Sequence, residues 1–212
     1  MFWHKDKSAE YYPGYPKLPE PLRIGAIVAI EPGEALRYEG VSLALPIPAG
    51  DLVVEAVSGM ELFGLNIYRA YVKKEDHQIV FQFNQKKDGA LLDVNCFQVF
   101  QEIYPAAEKD WDTWLGQGGL IGGADLNAPN GAAYTREWGD GQYSAPPKAS
   151  ENIFTAADKP PVVVKHAMML YSRDLTADLQ EFMLLSADEE PGQSLVRCLA
   201  GVVMSPQTVK IY

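Results

Sequence analysis

Gln78-Ile79-Val80-Phe81-Gln82-Phe83-Asn84 decides the fold class of this chain. Ile79, Phe81 and Phe83 fall on one side, the period-two pattern of a half-buried strand. Lys86-Lys87-Asp88-Gly89 then supplies a turn, because glycine takes positive φ without strain. Leu91 to Ile103 reads as a longer strand. Its alternation slips near Phe97, which predicts a bulge or bend. Two strands joined by a tight turn form an antiparallel hairpin, and the chain on either side repeats the pattern.

Upstream, Leu52-Val53-Val54-Glu55-Ala56-Val57 is β-rich, and residues 66–72 carry aliphatic and aromatic residues on both faces. Downstream, three strands are expected at Val162 to Arg173, Leu179 to Ala187 and Leu195 to Met204. Glu189-Glu190-Pro191-Gly192 is the turn between the last two, and a terminal strand is expected over Val209 to Tyr212. The expected fold is mainly β (α+β), with antiparallel sheets in a sandwich-like or barrel-like arrangement. One short amphipathic helix is expected near 105–115, packed on a sheet. Pro105 suits its first turn and Gly116 the position after its end. Ala107, Trp111, Trp114 and Leu115 lie at helical spacing on one face.

Residues 1–21 read as a Pro/Tyr-rich extended tail, with Pro13, Pro16, Pro19 and Pro21 between Tyr11, Tyr12 and Tyr15. Its PxxP spacing admits a recognition motif, and the plainer expectation is a strap whose tyrosines pack on the domain. Residues 22–212 read as a single β-rich domain. The region 105–159 holds the helix and then a long irregular stretch rich in Gly, Asn, Ala and Pro, with room for one short strand. Residues 67–83 and 170–185 share a hairpin form, so two related half-sheets, 22–104 and 160–212, stand against the simpler view that hairpins look alike.

Composition excludes several classes. The 212 residues are 47% hydrophobic and 22% charged, an ordinary globular balance. Lys and Arg number 18 against 28 Asp and Glu, a formal charge of -10, which argues against nucleic-acid binding and against adhesion to anionic lipid. The longest apolar run, Ile24 to Ile30, is far short of the roughly 20 residues that a spanning helix needs. The first residues, Met1-Phe2-Trp3-His4-Lys5-Asp6-Lys7, lack the apolar core of a secretory signal. Cys96 and Cys198 each lie in an apolar stretch and read as buried thiols, which suits a cytoplasmic location.

No catalytic or metal motif stands out, and no cofactor is expected. The glycines of residues 116–123 follow a helix and lack the spacing of a phosphate loop. Residues 125–131 fail as a calcium loop, since Pro129 and Arg136 stand where ligands belong. Asp110 and Asp112 point to different helix faces, and His4, His77 and His166 are far apart in the chain. No Gly-x-Ser-x-Gly occurs. The remaining candidates are binding residues. Tyr134, Arg136 and Trp138 alternate and share one face, while Arg69 and Arg173 end strands in similar contexts. The same residue types also serve as structural anchors that pair with carboxylates. His166 reads as a hydrogen-bonded sheet histidine. An acid–base site of His166, Arg173 and Glu181 is the catalytic alternative, and it requires the three to converge in one pocket.

Leu22-Arg23-Ile24-Gly25-Ala26, Trp114-Leu115-Gly116, Tyr134-Thr135-Arg136-Glu137-Trp138 and Met169-Leu170-Tyr171-Ser172-Arg173 occur in this order. The order resembles the YjfK-like family, a bacterial domain of unknown function, from about residue 20 onward. The resemblance implies no activity, cofactor or catalytic residue. It implies a gene group containing phage-shock-protein-A-like membrane-stress proteins and an ATP-grasp ligase, and hence an accessory role near the membrane with a protein partner. The Tyr/Pro-rich tail has no counterpart in that pattern. A second copy of the chain, a small-molecule ligand, and modification by such a ligase are the other partnerships left open.

Overall fold

The computed structural model describes residues 11–75, 77–128 and 131–212. His4 and the calcium-loop residues Pro129 and Asn130 lie outside the described residues. In chain order the elements are β1 (Ile27–Ile30), α1 (Pro32–Leu36), β2 (Leu52–Leu62), β3 (Leu65–Lys74), β4 (His77–Gln85) and β5 (Leu91–Ile103). There follow α2 (Glu108–Leu115), β6 (Asp125–Asn127), β7 (Ala133–Arg136) and β8 (Lys148–Phe154). The chain ends with β9 (Val162–Asp174), β10 (Gln180–Glu190), β11 (Gln193–Met204) and β12 (Val209–Ile211).

Every strand pairing is antiparallel, and the expected β class holds. Strands β2-β3-β4-β5 form one meander and β8-β9-β10-β11 another. The meanders join twice, at β5–β11 and at β2–β8, which closes an eight-stranded barrel. Closure removes the free edges that an open sheet would expose. The slip expected near Phe97 is a bulge three residues on, where Cys198 pairs Gln101 and Leu199 pairs Val99. The stretch expected to be irregular holds three strands, β6, β7 and β8, and β8 belongs to the barrel wall.

Period two sorts the wall residues into two sets. Met60, Ile67, Val80, Phe97, Met168, Leu184 and Leu199 form one buried cluster to which seven of the eight strands contribute, and this is the barrel interior. Gly201 pairs with Phe97 in the wall. A Cβ at Gly201 would meet the Phe97 ring at 2.6 Å, so glycine is required there. The outer faces are covered as well. Val57, Ala70, Phe81 and Cys96 of the first meander pack under β1, β12 and the segment preceding β1. Met169, Tyr171, Leu185 and Cys198 of the second pack under Ile121, Leu126 and Tyr134, with Trp111 and Trp114 of α2 half-buried against them.

The tail from Tyr11 is a strap. Tyr12 and Tyr15 pack on the first outer cluster, and the Tyr15 ring meets Phe154 edge-on at 5.0 Å. Pro16 crosses β2 at Gly59, where a Cβ would lie 2.9 Å from the proline. Among the described residues no helix is long and apolar enough to cross a membrane.

Candidate functional site

The inward positions of the barrel change character along its axis. Toward the β2–β3 turn they are apolar: Met60, Leu62, Leu65, Ile67, Leu170 and Phe182. Trp138 packs on this cluster and meets Phe63 of the turn edge-on at 5.1 Å. Toward the other end the same inward stripe carries Ser58, Arg69, Glu151, His166, Ser186 and Asp188, all buried.

Register places these groups together. His166 sits opposite Asp188 across β9–β10 and opposite Ala149 across β8–β9, so Glu151 is its diagonal neighbour on the same face. Arg69 sits opposite Ser58 on β2 and Gln82 on β4. The result is a chain of alternating charge. Arg69 donates from Nη1 to Glu151 Oε2 at 2.9 Å and from Nε to Gln82 at 2.9 Å. Glu151, with 0% exposure, also accepts from Tyr71 OH at 2.5 Å and from Ser58 Oγ. His166 Nε2 lies 2.8 Å from Glu151 Oε2, and Nδ1 lies 2.7 Å from Asp188 Oδ1. Asp188 accepts from Ser186 and, at 2.8 Å, from Arg197 Nη1. Arg197 donates further to Glu102 and to Glu190 at the rim.

A ring held between two carboxylates donates from both nitrogens only when it is protonated. Burial opposes the charge on His166, but the hydrogen bonds to Asp188 and Glu151 outweigh it and raise its pKa. Burial likewise opposes the charge on Glu151, yet Arg69 and His166 hold its carboxyl well below the usual range. Asp188 is lowered in the same way, by His166, Ser186 and Arg197 against its burial. Burial and the neighbouring Glu151 push the Tyr71 phenol up. Both imidazole nitrogens are thus engaged by carboxylates, an arrangement that favours the imidazolium. Among the described residues no three His, Cys, Asp or Glu side chains are arranged to hold a metal ion.

Above this floor lies a cavity of about 290 Å³ at the charged end. Ala56, Val80, Val164, Leu184 and Leu199 line it, with Glu55, Gln78, Thr155 and Glu190 among its polar groups. Glu55 is the extra residue of a bulge, since Val54 pairs Val72 and Ala56 pairs Tyr71. At this point β2 also changes partner, from β1 at Leu52 and Val53 to β8 at Val57.

Only Arg69 and His166 of the expected binding residues meet in the lumen. Arg173 and Glu181 project from the outer face, so the expected His166–Arg173–Glu181 site does not form. Arg173 donates from Nε to Glu181 at 2.7 Å and lies 5.3 Å from the Tyr134 ring centroid. Tyr134 is 2% exposed and donates to Glu181 at 2.7 Å, so it presents no ring to a partner. Arg136 is tied to backbone carbonyls, Gly122 at 2.5 Å and Gly141 at 2.7 Å. Trp138 caps the apolar lumen. The face expected over 134–138 is thus folded against the barrel, because the wall beneath it is apolar and needs cover. Ser58, Tyr71, Glu151, Asp188 and Arg197 complete the network without having been singled out by sequence. The one signal for them was parity. Asp188 continues the inward series Phe182, Leu184, Ser186, and Glu151 keeps step with Ala149.

The class defined by these features is a closed eight-stranded antiparallel barrel with an ion-pair chain through half its lumen. The chain belongs to the family described as a protein of unknown function, DUF2491, whose model matches residues 1–209. No curated protein and no solved structure matches it.

Proposed function

We propose that this protein is a binding barrel that holds one small molecule in the lumen, above the Glu151–His166–Asp188 chain. The observation that carries the reading is the cavity of about 290 Å³ at the charged end, beside an opposite end filled by side chains. Small eight-stranded barrels have interiors of a size to be filled by side chains or to hold one small ligand, and ligand pockets begin near 300 Å³. Its lining joins six apolar side chains to ten polar or charged ones, so it offers a ligand both apolar contact and fixed polar groups that orient it. An acid–base role for His166 has less support, because both its nitrogens are engaged by carboxylates.

The YjfK-like resemblance supports, by association, a cytoplasmic accessory role beside a phage-shock-protein-A-like partner. In that setting the barrel reports a ligand to a membrane-stress system.

Ala56 lines the cavity, so Ala56→Trp fills it. A ligand-observed NMR screen of a fragment library against the full chain should give binders that Ala56→Trp loses, while its far-UV CD spectrum stays that of the parent. Binders that survive in Ala56→Trp, or a library with no binders, would overturn the reading.

A further inference from the structure

We infer that the lumen cavity takes a small organic cation, an ammonium group on an aliphatic body. This rests on the lumen reading above and adds the charge of the ligand.

The cations that line the cavity are already matched. Arg69 is held by Glu151, His166 lies between Glu151 and Asp188, and Arg197 is shared by Asp188, Glu190 and Glu102. The lining thus sets Arg69, His166 and Arg197 against Glu55, Asp188 and Glu190, and of these six only Glu55, exposed to solvent, has no ion pair among the described residues. Glu55 lines the cavity and has no hydrogen bond or ion pair among the described residues. The bulge that carries it turns its side chain away from the ordinary alternation of β2. An anion entering here finds every lining cation already paired, whereas an ammonium group finds an unpartnered carboxylate and the side-chain carbonyl of Gln78 within the same lining.

The walls decide between an organic and an inorganic cation. Of the lining carboxylates, Asp188 and Glu190 are taken up by His166 and Arg197, so no full oxygen shell is free to replace the hydration of an inorganic ion, and Ala56, Val80, Val164, Leu184 and Leu199 add no oxygen side chain. They offer apolar area, which rewards a hydrocarbon body by about 25 cal/mol for each Å² removed from water. The net charge of -10 on the whole chain draws cations toward the barrel and repels anions.

The test uses three probes of similar shape and different charge: cyclohexylmethylammonium, cyclohexylmethanol and cyclohexanecarboxylate. Each is titrated into the full chain at pH 7 by NMR, alongside Glu55→Gln and Ala56→Trp. The ammonium probe should bind about tenfold tighter than the alcohol, and the carboxylate weakest. Glu55→Gln should remove most of that preference, and added salt should narrow it. If the fragment screen finds lumen ligands but the alcohol or carboxylate matches the ammonium probe, the charge inference falls and the lumen reading stands. If the preference survives Glu55→Gln unchanged, the inference also falls. If no fragment or probe is lost in Ala56→Trp, both fall together.

Discussion

The two ends of the barrel are built by the same strands, at the same alternation, and do opposite things. At the β2–β3 end, Met60, Ile67, Leu170 and Phe182 fill the lumen and Trp138 covers it. At the other end the stripe runs on as Ser58, Arg69, His166 and Asp188, and space remains above them. Apolar filling yields stability by burial and asks little of geometry beyond volume. A buried charge chain yields little net stability and asks a great deal of geometry, since each member must be matched. The difference teaches that this barrel spends half its interior on holding itself together and half on keeping a fixed, charged surface.

The sharpest way to break that contrast is Glu151→Ala. It leaves the Arg69 and His166 charges facing each other in a site with 0% exposure at Glu151, and should cost about 4 kcal/mol in urea denaturation. If the network is costly to build, Arg69→Met combined with Glu151→Leu should recover most of that loss. A double variant as unstable as the single one would show that the chain is a net stabiliser. Trp138→Ala tests the apolar end. The ring is half-buried, so roughly half of the usual loss for a core tryptophan, about 2 kcal/mol, is expected in the same assay.

The smallest effect separates the ends by pH. His166 is raised on folding, so its contribution is full below its unfolded value of about 6.5 and is lost as pH rises through the higher folded value. Glu151 and Asp188 are lowered, so theirs is full above about 4 and is lost as pH falls toward their folded values. Thermal melts should therefore plateau between about pH 4.5 and 6.5 and decline on the alkaline side. His166→Gln should flatten that alkaline decline, while Trp138→Ala should shift the whole curve and leave its shape alone.

Much of the fold was legible. Ile79, Phe81 and Phe83 alternate because one face of β4 is covered, and such strands announce themselves. The α2 helix was legible from Pro105, Gly116 and its tryptophans. Strand β8 was not, because Lys148-Ala149-Ser150-Glu151 places a carboxylate where alternation expects an apolar residue. The site was half-legible. A strand puts residues 166 and 173 on opposite faces, since their separation is odd, and that alone separates His166 from Arg173. Parity also groups Tyr134, Arg136 and Trp138. It does not say whether the shared face meets solvent or the barrel, and here the uncovered wall of the second meander settled it.

The double closure of the barrel sets the order in which the chain can fold. Within each meander, neighbouring strands are joined by short connections, so each meander can pair locally and early. The two seams join residues about a hundred positions apart, Val99 to Leu199 on one side and Val57 to Phe154 on the other, and loop closure makes such contacts slow. Glu151 ties the shorter seam, reaching from β8 to Ser58 on β2 and Arg69 on β3. If its bonds form after the main barrier, Glu151→Ala should raise the unfolding rate in a stopped-flow chevron and leave the folding rate nearly unchanged. The group that organises the lumen is thereby also a clasp across the seam where the barrel closes.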